Sequence, residues 1–441
     1  MTNTDNIANL LIEAGEPDKD NPTAVVIYTG TSLGTSSDTF TGLLDELTGK
    51  VTKSNKKEVQ NEHRRCLNHV LNSLIQCMFR FEWLSLPTNS PNFNAGEYLN
   101  RLGFSRRIMG RIIELLCAED VMYLGIKGYR DARPGAVSKA SQFYPTKKFI
   151  KLFSDSLYST FGDFDDYEAL KFDRFDDVDM PSATSIEEWN KIIRNYNNFM
   201  RDHSWAMKNP SSRSLKDFIG RSGRINNYYQ NLANRRIPLR TSTLIDGEAI
   251  AEPDFSCNHL RMASYLVGEE LPDDPYDYIA KDTGLSRDKI KAVITRVFGA
   301  TTTQAKGNLI GAAHKHRKVK MSADDFRAVL SSLEKNYPWV VDKKLIFNDV
   351  GTRMQWLEGE IGLEMLKWST DNQLPLLAVH DGYAVRSSDE AITYDYMQSV
   401  WKEVVEKAKK SKFIEATQYT VDVVRHRKKE GGLGIVLYRA A

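Results

Sequence analysis

Residues 374–386 read LPLLAVHDGYAVR, in which apolar Leu376 to Val379 and Tyr383 to Val385 flank the trio His380, Asp381 and Gly382. Two short apolar runs this close, with a glycine between them, predict an antiparallel β-hairpin carrying Asp381 at its tip. A carboxylate between apolar strands is costly to bury without a partner, and a bound cation is a natural one. A second carboxylate is placed in the same way far upstream. In IAEPDFSCNHLRM, residues 250–262, an apolar run ends at Asp254 and passes into a helix carrying His259 and Arg261. Two strand-borne carboxylates are the donor set for two Mg2+ ions roughly 3.5–4 Å apart, with Mn2+ able to substitute. Such a pair serves in-line phosphoryl displacement: one ion sharpens a hydroxyl nucleophile, the other neutralises the triphosphate and the leaving pyrophosphate.

Between the two carboxylates lies LSRDKIKAVITRVFGATTTQAKG, residues 285–307, a helix from about residue 286. Arg287, Lys291, Ile294 and Phe298 fall on one helical face, which offers two cations for phosphates and a ring for a base. Standing alone, this would read as an ordinary amphipathic helix with solvated basic residues. Its position between the carboxylates favours the chemical reading.

DFSCNHLR, RDKIKAVITRVFG and VHDG, in that order, resemble motifs A, B and C of the family-A polymerase superfamily, which comprises the family-A DNA polymerases and the single-subunit phage-type RNA polymerases. The resemblance covers about half the chain, from Gly220 onward. It implies a compact, divergent member with an α+β fold: a right-hand palm built on an antiparallel sheet, with helical fingers. It also implies that Asp254 and Asp381 bind the metals with help from the Phe255 carbonyl, and that Arg287 and Lys291 contact the incoming triphosphate. By the same resemblance Phe298 stacks near the new base pair, and His380 belongs to the nucleic-acid contacts. The family's aromatic lies eight residues after the lysine, whereas here the gap is seven, still on the same helical face. Upstream, SGRINNYY resembles the Gly-Arg segment before motif A, which makes Arg224 a template or primer contact. TRMQWLEGEIGLEML resembles the helix whose glutamine probes the minor groove at the primer terminus, here Gln355. Sugar choice in the family depends on the residue five after the motif A aspartate, here His259. A bulky imidazole crowds a ribose 2′-hydroxyl, which favours deoxynucleotides, although His can also donate a hydrogen bond to that hydroxyl.

Nearer the N-terminus, residues 106–117 form a helix candidate, VMYLGI (121–126) is strand-like, and a basic loop then leads into a second strand and helix. Helix, turn, basic helix and two strands around an Arg/Lys-rich loop is the order of a winged helix-turn-helix. In that reading Arg106, Arg107 and Arg111 face a duplex, with Arg130, Arg133, Lys139, Lys147 and Lys148 on or near the wing. The alternative is a small structural domain with solvated charges. Residues 29–42, rich in Gly, Ser and Thr, read as flexible; no Gly-Lys-Ser/Thr follows them, as a phosphate loop would need. The acidic stretch GDFDDYEALKFDRFDDVDM (162–180) reads as a solvated linker, and residues 189–207 look helical. Arg235, Arg236 and Arg240 could add phosphate contacts, and a solvated basic loop explains them equally well. The domain organisation expected is a flexible segment at 1–45, a helical and winged-helix nucleic-acid-binding domain at 46–160, an acidic linker with a thumb-like helical region at 161–215, and palm and fingers at 216–441.

Composition narrows the field. Lys plus Arg number 60 against 58 Asp plus Glu, so nucleic-acid binding must come from local basic surfaces. No apolar run is long enough to span a membrane, and MTNTDNIANL lacks the order of a secretion signal, which predicts a soluble, cytoplasmic protein without a membrane partner. The four cysteines form no CxxC pair, so a disulfide framework is not expected. His63, Cys66, His69 and Cys77 fit no common zinc spacing, and an amphipathic helix over 58–81 explains them better. Three functions compete: a DNA-dependent DNA polymerase for plasmid or phage replication, acting on primer–template or origin DNA with nucleoside triphosphates; an RNA polymerase or primase on the same palm, acting on promoter DNA; and a non-catalytic DNA-binding replication initiator.

Overall fold

The computed structural model describes residues 3–19, 24–26, 38–86, 104–128, 140–173, 180–216, 220–234, 236–301, 309–310, 319 and 321–415. The chain folds into two units and passes between them repeatedly. The first comprises Met1–Tyr167, Arg201–Pro210 and Asn227–Ala251; the second comprises Glu168–Met200, Ser211–Asn226 and Glu252–Ala441. Both mix helices with small sheets, an α+β architecture. Among the described residues no helix is long and apolar enough to cross a membrane.

The first unit contains α1 (Asn3–Glu13), β1 (Ala24–Val26), α2 (Asp38–Val51), α3 (Lys57–Arg80), β2 (Trp83–Leu86), α4 (Arg106–Ala118), β3 (Met122–Ile126), β4 (Ser141–Pro145) and α5 (Lys147–Phe153). The sheet order is β1-β2-β4-β3, with β1 parallel to β2 and the other pairs antiparallel. Helix α3 forms because Leu67, Val70, Leu71, Leu74 and Met78 recur at helical spacing, and all five are buried. It ends where Phe81 turns left-handed (φ 51°) and the Glu82 N–H donates back to the Cys77 carbonyl at 3.0 Å. The residues weighed as zinc ligands lie along this helix. His63 Nδ1 is 3.1 Å from Thr52 Oγ1, His69 packs edge-on against Phe104, and burial pushes the Cys66 thiol up to about 12.

Helix α4 begins at Ser105, whose Oγ accepts the Ile108 N–H at 3.2 Å. Ile108, Met109, Ile112 and Leu116 turn inward, leaving Arg106, Arg107 and Arg111 exposed. Strands β3 and β4 pair antiparallel, and Arg130, Arg133 and Lys139 in their connection lie outside the described residues. Lys147 and Lys148 are exposed, but they stand in the first turn of α5, past the β3–β4 hairpin rather than on it. Thr146 sets that turn: its Oγ1 accepts the Phe149 N–H at 3.3 Å and donates to the Asp120 carbonyl at 2.6 Å.

The second unit contains β5 (Leu170–Asp173), α6 (Ala183–Arg201, all but its last residue), β6 (Ser212–Lys216), β7 (Ser222–Asn226), α7 (Asn258–Val267), α8 (Asp277–Thr283), α9 (Arg287–Gly299), α10 (Ala323–Asn336), α11 (Trp339–Asp342), α12 (Val350–Asn372), β8 (Leu376–Val379), β9 (Gly382–Arg386) and α13 (Glu390–Lys410). It thus takes in residues 168–200 and 211–215, which the sequence sets apart as linker and thumb-like helix. The helix expected at 189–207 starts at Ala183 and stops at Arg201; Trp205 to Met207 belong to a turn in which Met207 has φ 55°.

The buried spine of this unit is α12. A Cβ on Gly359 would stand 2.0 Å from the Gly223 carbonyl oxygen, and one on Gly362 would stand 2.9 Å from Ile225 Cγ1. The helix therefore rests directly on the backbone of β7, an approach only glycine permits. Beside it Arg213, fully buried on β6, lies between the rings of Trp189 (4.5 Å) and Trp356 (4.7 Å). Its guanidinium donates to the Gly223 carbonyl at 2.9 Å and to Glu360 at 2.7 Å. Strands β8 and β9 form the expected hairpin, with Val379 opposite Gly382.

Candidate active site

Asp254 pairs with Gly382 as an antiparallel bridge, and the Tyr383 N–H donates to the Pro253 carbonyl at 3.0 Å. The tip of the β8–β9 hairpin and the segment leading into α7 are thus fastened side by side. Asp254 Oδ1 lies 3.0 Å from where a Gly382 Cβ would stand, so the glycine leaves room for this carboxylate next to Asp381. At the tip His380 is exposed and takes a left-handed φ of 60°, as a tight turn demands.

Both carboxyls are raised above the ordinary aspartate value. Burial and the charge of Asp381 push Asp254 up to about 6, while Lys291 and the Phe255 N–H pull against them. Asp254 nonetheless keeps one side open to solvent. Asp381 is also raised, by burial and by Glu358, with Arg224 and Lys291 opposing. Lys291 is exposed on α9 and acts on both carboxyls. Among the described residues no three His, Cys, Asp or Glu side chains are grouped to hold a metal ion. The donors that could hold a cation here are the Asp254 and Asp381 carboxylates and the main chain at Phe255.

Glu358, on α12 with its side chain only 2 % exposed, is the hub of a buried polar cluster. It pairs with Arg224 from β7, accepts the Asn258 amide at 3.0 Å, and lies 3.1 Å from His259 Nε2. Burial alone would raise its pKa, yet His259 and Arg224 outweigh burial and hold it at about 2. Arg224 is likewise held charged: burial pulls it down, and Glu358 and Asp381 more than compensate. Gln355 is half-buried one helical turn before Glu358. His259 Nε2 therefore lies within ion-pair distance of a buried carboxylate, without the geometry of a hydrogen bond to it.

Helix α9 departs from the single open face expected of it. Arg287 pairs with Asp274, donates to Ser256 Oγ at 3.0 Å and lies over the Tyr276 ring at 4.9 Å. Lys291 is exposed, Ile294 is buried, and Phe298 is fully buried. The face runs from solvent into the core because α9 meets α12 at Gly351, where an added Cβ would stand 3.1 Å from the Phe298 carbonyl carbon. Phe298 thus offers no ring to a ligand in this structure and works as packing. Asp254 also borders a cleft of about 450 Å3, lined by Phe255, Ser256, Arg261, Tyr265 and Trp401 among others.

The second unit brings together Asp254, Phe255, Asp381, Lys291, Arg224 and His259. Arg106, Arg107, Arg111, Lys147 and Lys148 belong to the first unit. Glu358, Asn258 and Asp274 escape a reading of the sequence. The one available signal for Glu358 is a charge set in the otherwise apolar run MQWLEGEIGLEML, beside the glycine that touches β7. No model of a known protein family and no curated protein matches this chain.

Proposed function

We propose that the chain is a template-directed nucleotidyltransferase, a DNA polymerase that extends a primer with deoxynucleoside triphosphates. The observation that carries this reading is the pairing of Asp254 with the Asp381 hairpin tip, with Lys291 beside both carboxyls. Two acidic groups raised by burial, Asp254 also by Asp381 and Asp381 also by Glu358, form a site that favours a cation, and this chemistry fits divalent metal. Two Mg2+ ions held by Asp254, Asp381 and the Phe255 carbonyl would supply activation of the primer 3′-hydroxyl and neutralisation of the triphosphate. Lys291, exposed and next to the pair, would hold the triphosphate oxygens. Arg287 would join it by exchanging Asp274 for a phosphate, a like-for-like swap of anionic partners. Arg224, charged and beside Asp381, would steady the primer terminus. The small antiparallel hairpin with helices packed around it is compatible with a palm and fingers.

For the first unit we infer duplex binding through a winged helix. Its support is the element order α3, β2, α4, β3, β4 with strand order β2-β4-β3, and the three arginines exposed on α4.

The test is extension of a labelled primer–template with Mg2+, offering dNTPs and rNTPs separately. Asp254→Asn and Asp381→Asn should each abolish extension. Preference for rNTPs, or synthesis without a primer, would replace the DNA polymerase with an RNA polymerase or primase on the same two carboxylates. Absence of synthesis with either nucleotide set, primed or unprimed, would leave a DNA-binding initiator.

A further inference from the structure

Glu358 gathers groups from two other elements onto one carboxylate: Arg224 from β7, and Asn258 and His259 from the first turn of α7. Its geometry is fixed from outside as well. The Trp401 indole N–H donates to Asn258 Oδ1 at 2.9 Å, which aims the Asn258 amide N–H at Glu358. Burying an ion pair is often neutral for stability compared with apolar packing, and here it ties the positions of Arg224, Asn258 and His259 to one carboxylate. Arg224 also feels the charge of Asp381, and on the polymerase reading His259 is the residue that would face the nucleotide sugar.

We propose that Glu358 is a positioning residue which couples the primer-terminus contact, Arg224, to the sugar-facing contact, His259. Sugar discrimination and discrimination against a mispaired primer end then depend on a single buried carboxylate. This rests on the polymerase reading above. A displaced terminus that drags Arg224 shifts Glu358, and His259 responds because its Nε2 lies 3.1 Å from the same carboxylate.

Single-nucleotide incorporation with Mg2+ tests the coupling, with two ratios measured for each protein: kcat/KM for dNTP over rNTP, and kcat/KM for matched over mismatched primer ends. Glu358→Gln should shift both ratios towards indifference by about tenfold. His259→Asn should lower the mismatch ratio as well as the sugar ratio, and Arg224→Lys should lower the sugar ratio as well as the mismatch ratio, each cross-effect at least about threefold. Both ratios unchanged in a folded Glu358→Gln would overturn the coupling. Should that variant not fold, the two single substitutions decide: each altering only its own ratio overturns it, and cross-effects uphold it. A wild type that extends no primer sinks the polymerase reading itself, and that outcome is seen before any variant is compared.

Discussion

Asp254 holds its proton up to about pH 6, against an ordinary aspartate value of 3.8. A folded-state pKa raised in this way contributes stability that is fully present below 3.8 and is lost as pH rises through about 6. Metal-free protein should therefore melt at a lower temperature at neutral pH than at about pH 5. Asp254→Asn should flatten that slope, and Mg2+ should raise the neutral-pH melting temperature of the wild type but not of the variant. Thermal unfolding with chelator or Mg2+ checks this; matching slopes in the two proteins would refute it. Glu358 has the opposite sign. Its pKa falls from 4.5 to about 2, so its contribution is present above 4.5 and lost as pH falls through 2. Glu358→Gln should cost about 3 kcal/mol at neutral pH, with the deficit shrinking towards pH 2. Urea unfolding at the two pH values measures it, and a deficit that persists in acid would contradict the assignment.

At the scale of elements, α12 on β7 is the contact least tolerant of change. A methyl at Gly359 meets a backbone carbonyl that cannot swing aside, so Gly359→Ala should destabilise by about 3 kcal/mol or more. Gly42 on α2 has nothing within 4 Å of its would-be Cβ. There the same change should stabilise, by up to about 1 kcal/mol. Denaturant midpoints for the two variants give the comparison, and equal effects would mean α12 does not bear on β7. The hairpin at 376–386 and the helices at 57–80, 106–118 and 287–299 were legible because periodicity and turn chemistry are local. Phe298 was misread because a helical face drawn through Arg287 and Lys291 does not reveal where the neighbouring helix lies; Gly351 on α12 decides that. Glu358 and Asp274 were illegible for the same reason. The partners of Glu358 come from segments about a hundred residues or more away, and the partner of Asp274, Arg287, lies beyond an intervening helix, so nothing beside either residue announces the pairing.

At the scale of the molecule, the units are woven from alternating segments. A fragment of residues 216–441 would lack β5, α6 and nearly all of β6, including Arg213 and Trp189. It should show no cooperative unfolding by circular dichroism, whereas 168–441 retains every segment of the second unit and should show it. A cooperative 216–441 would contradict the unit boundaries. For the first unit, replacing Arg106, Arg107 and Arg111 with alanine should lower the slope of log affinity for duplex DNA against log salt by about 3. A slope unchanged by the triple replacement would remove α4 from the DNA-binding reading.

The same weave has a consequence during synthesis on the ribosome. The first unit is complete once residue 251 has emerged, but Glu168–Met200 and Ser211–Asn226 must wait for α12 before their apolar faces are covered. At about 5–20 residues per second, that leaves Trp189 and the strands β5 to β7 without their partners for many seconds. Nascent chains stalled before α12 should therefore be prime clients for chaperones, and slower growth temperatures should improve the yield of folded protein.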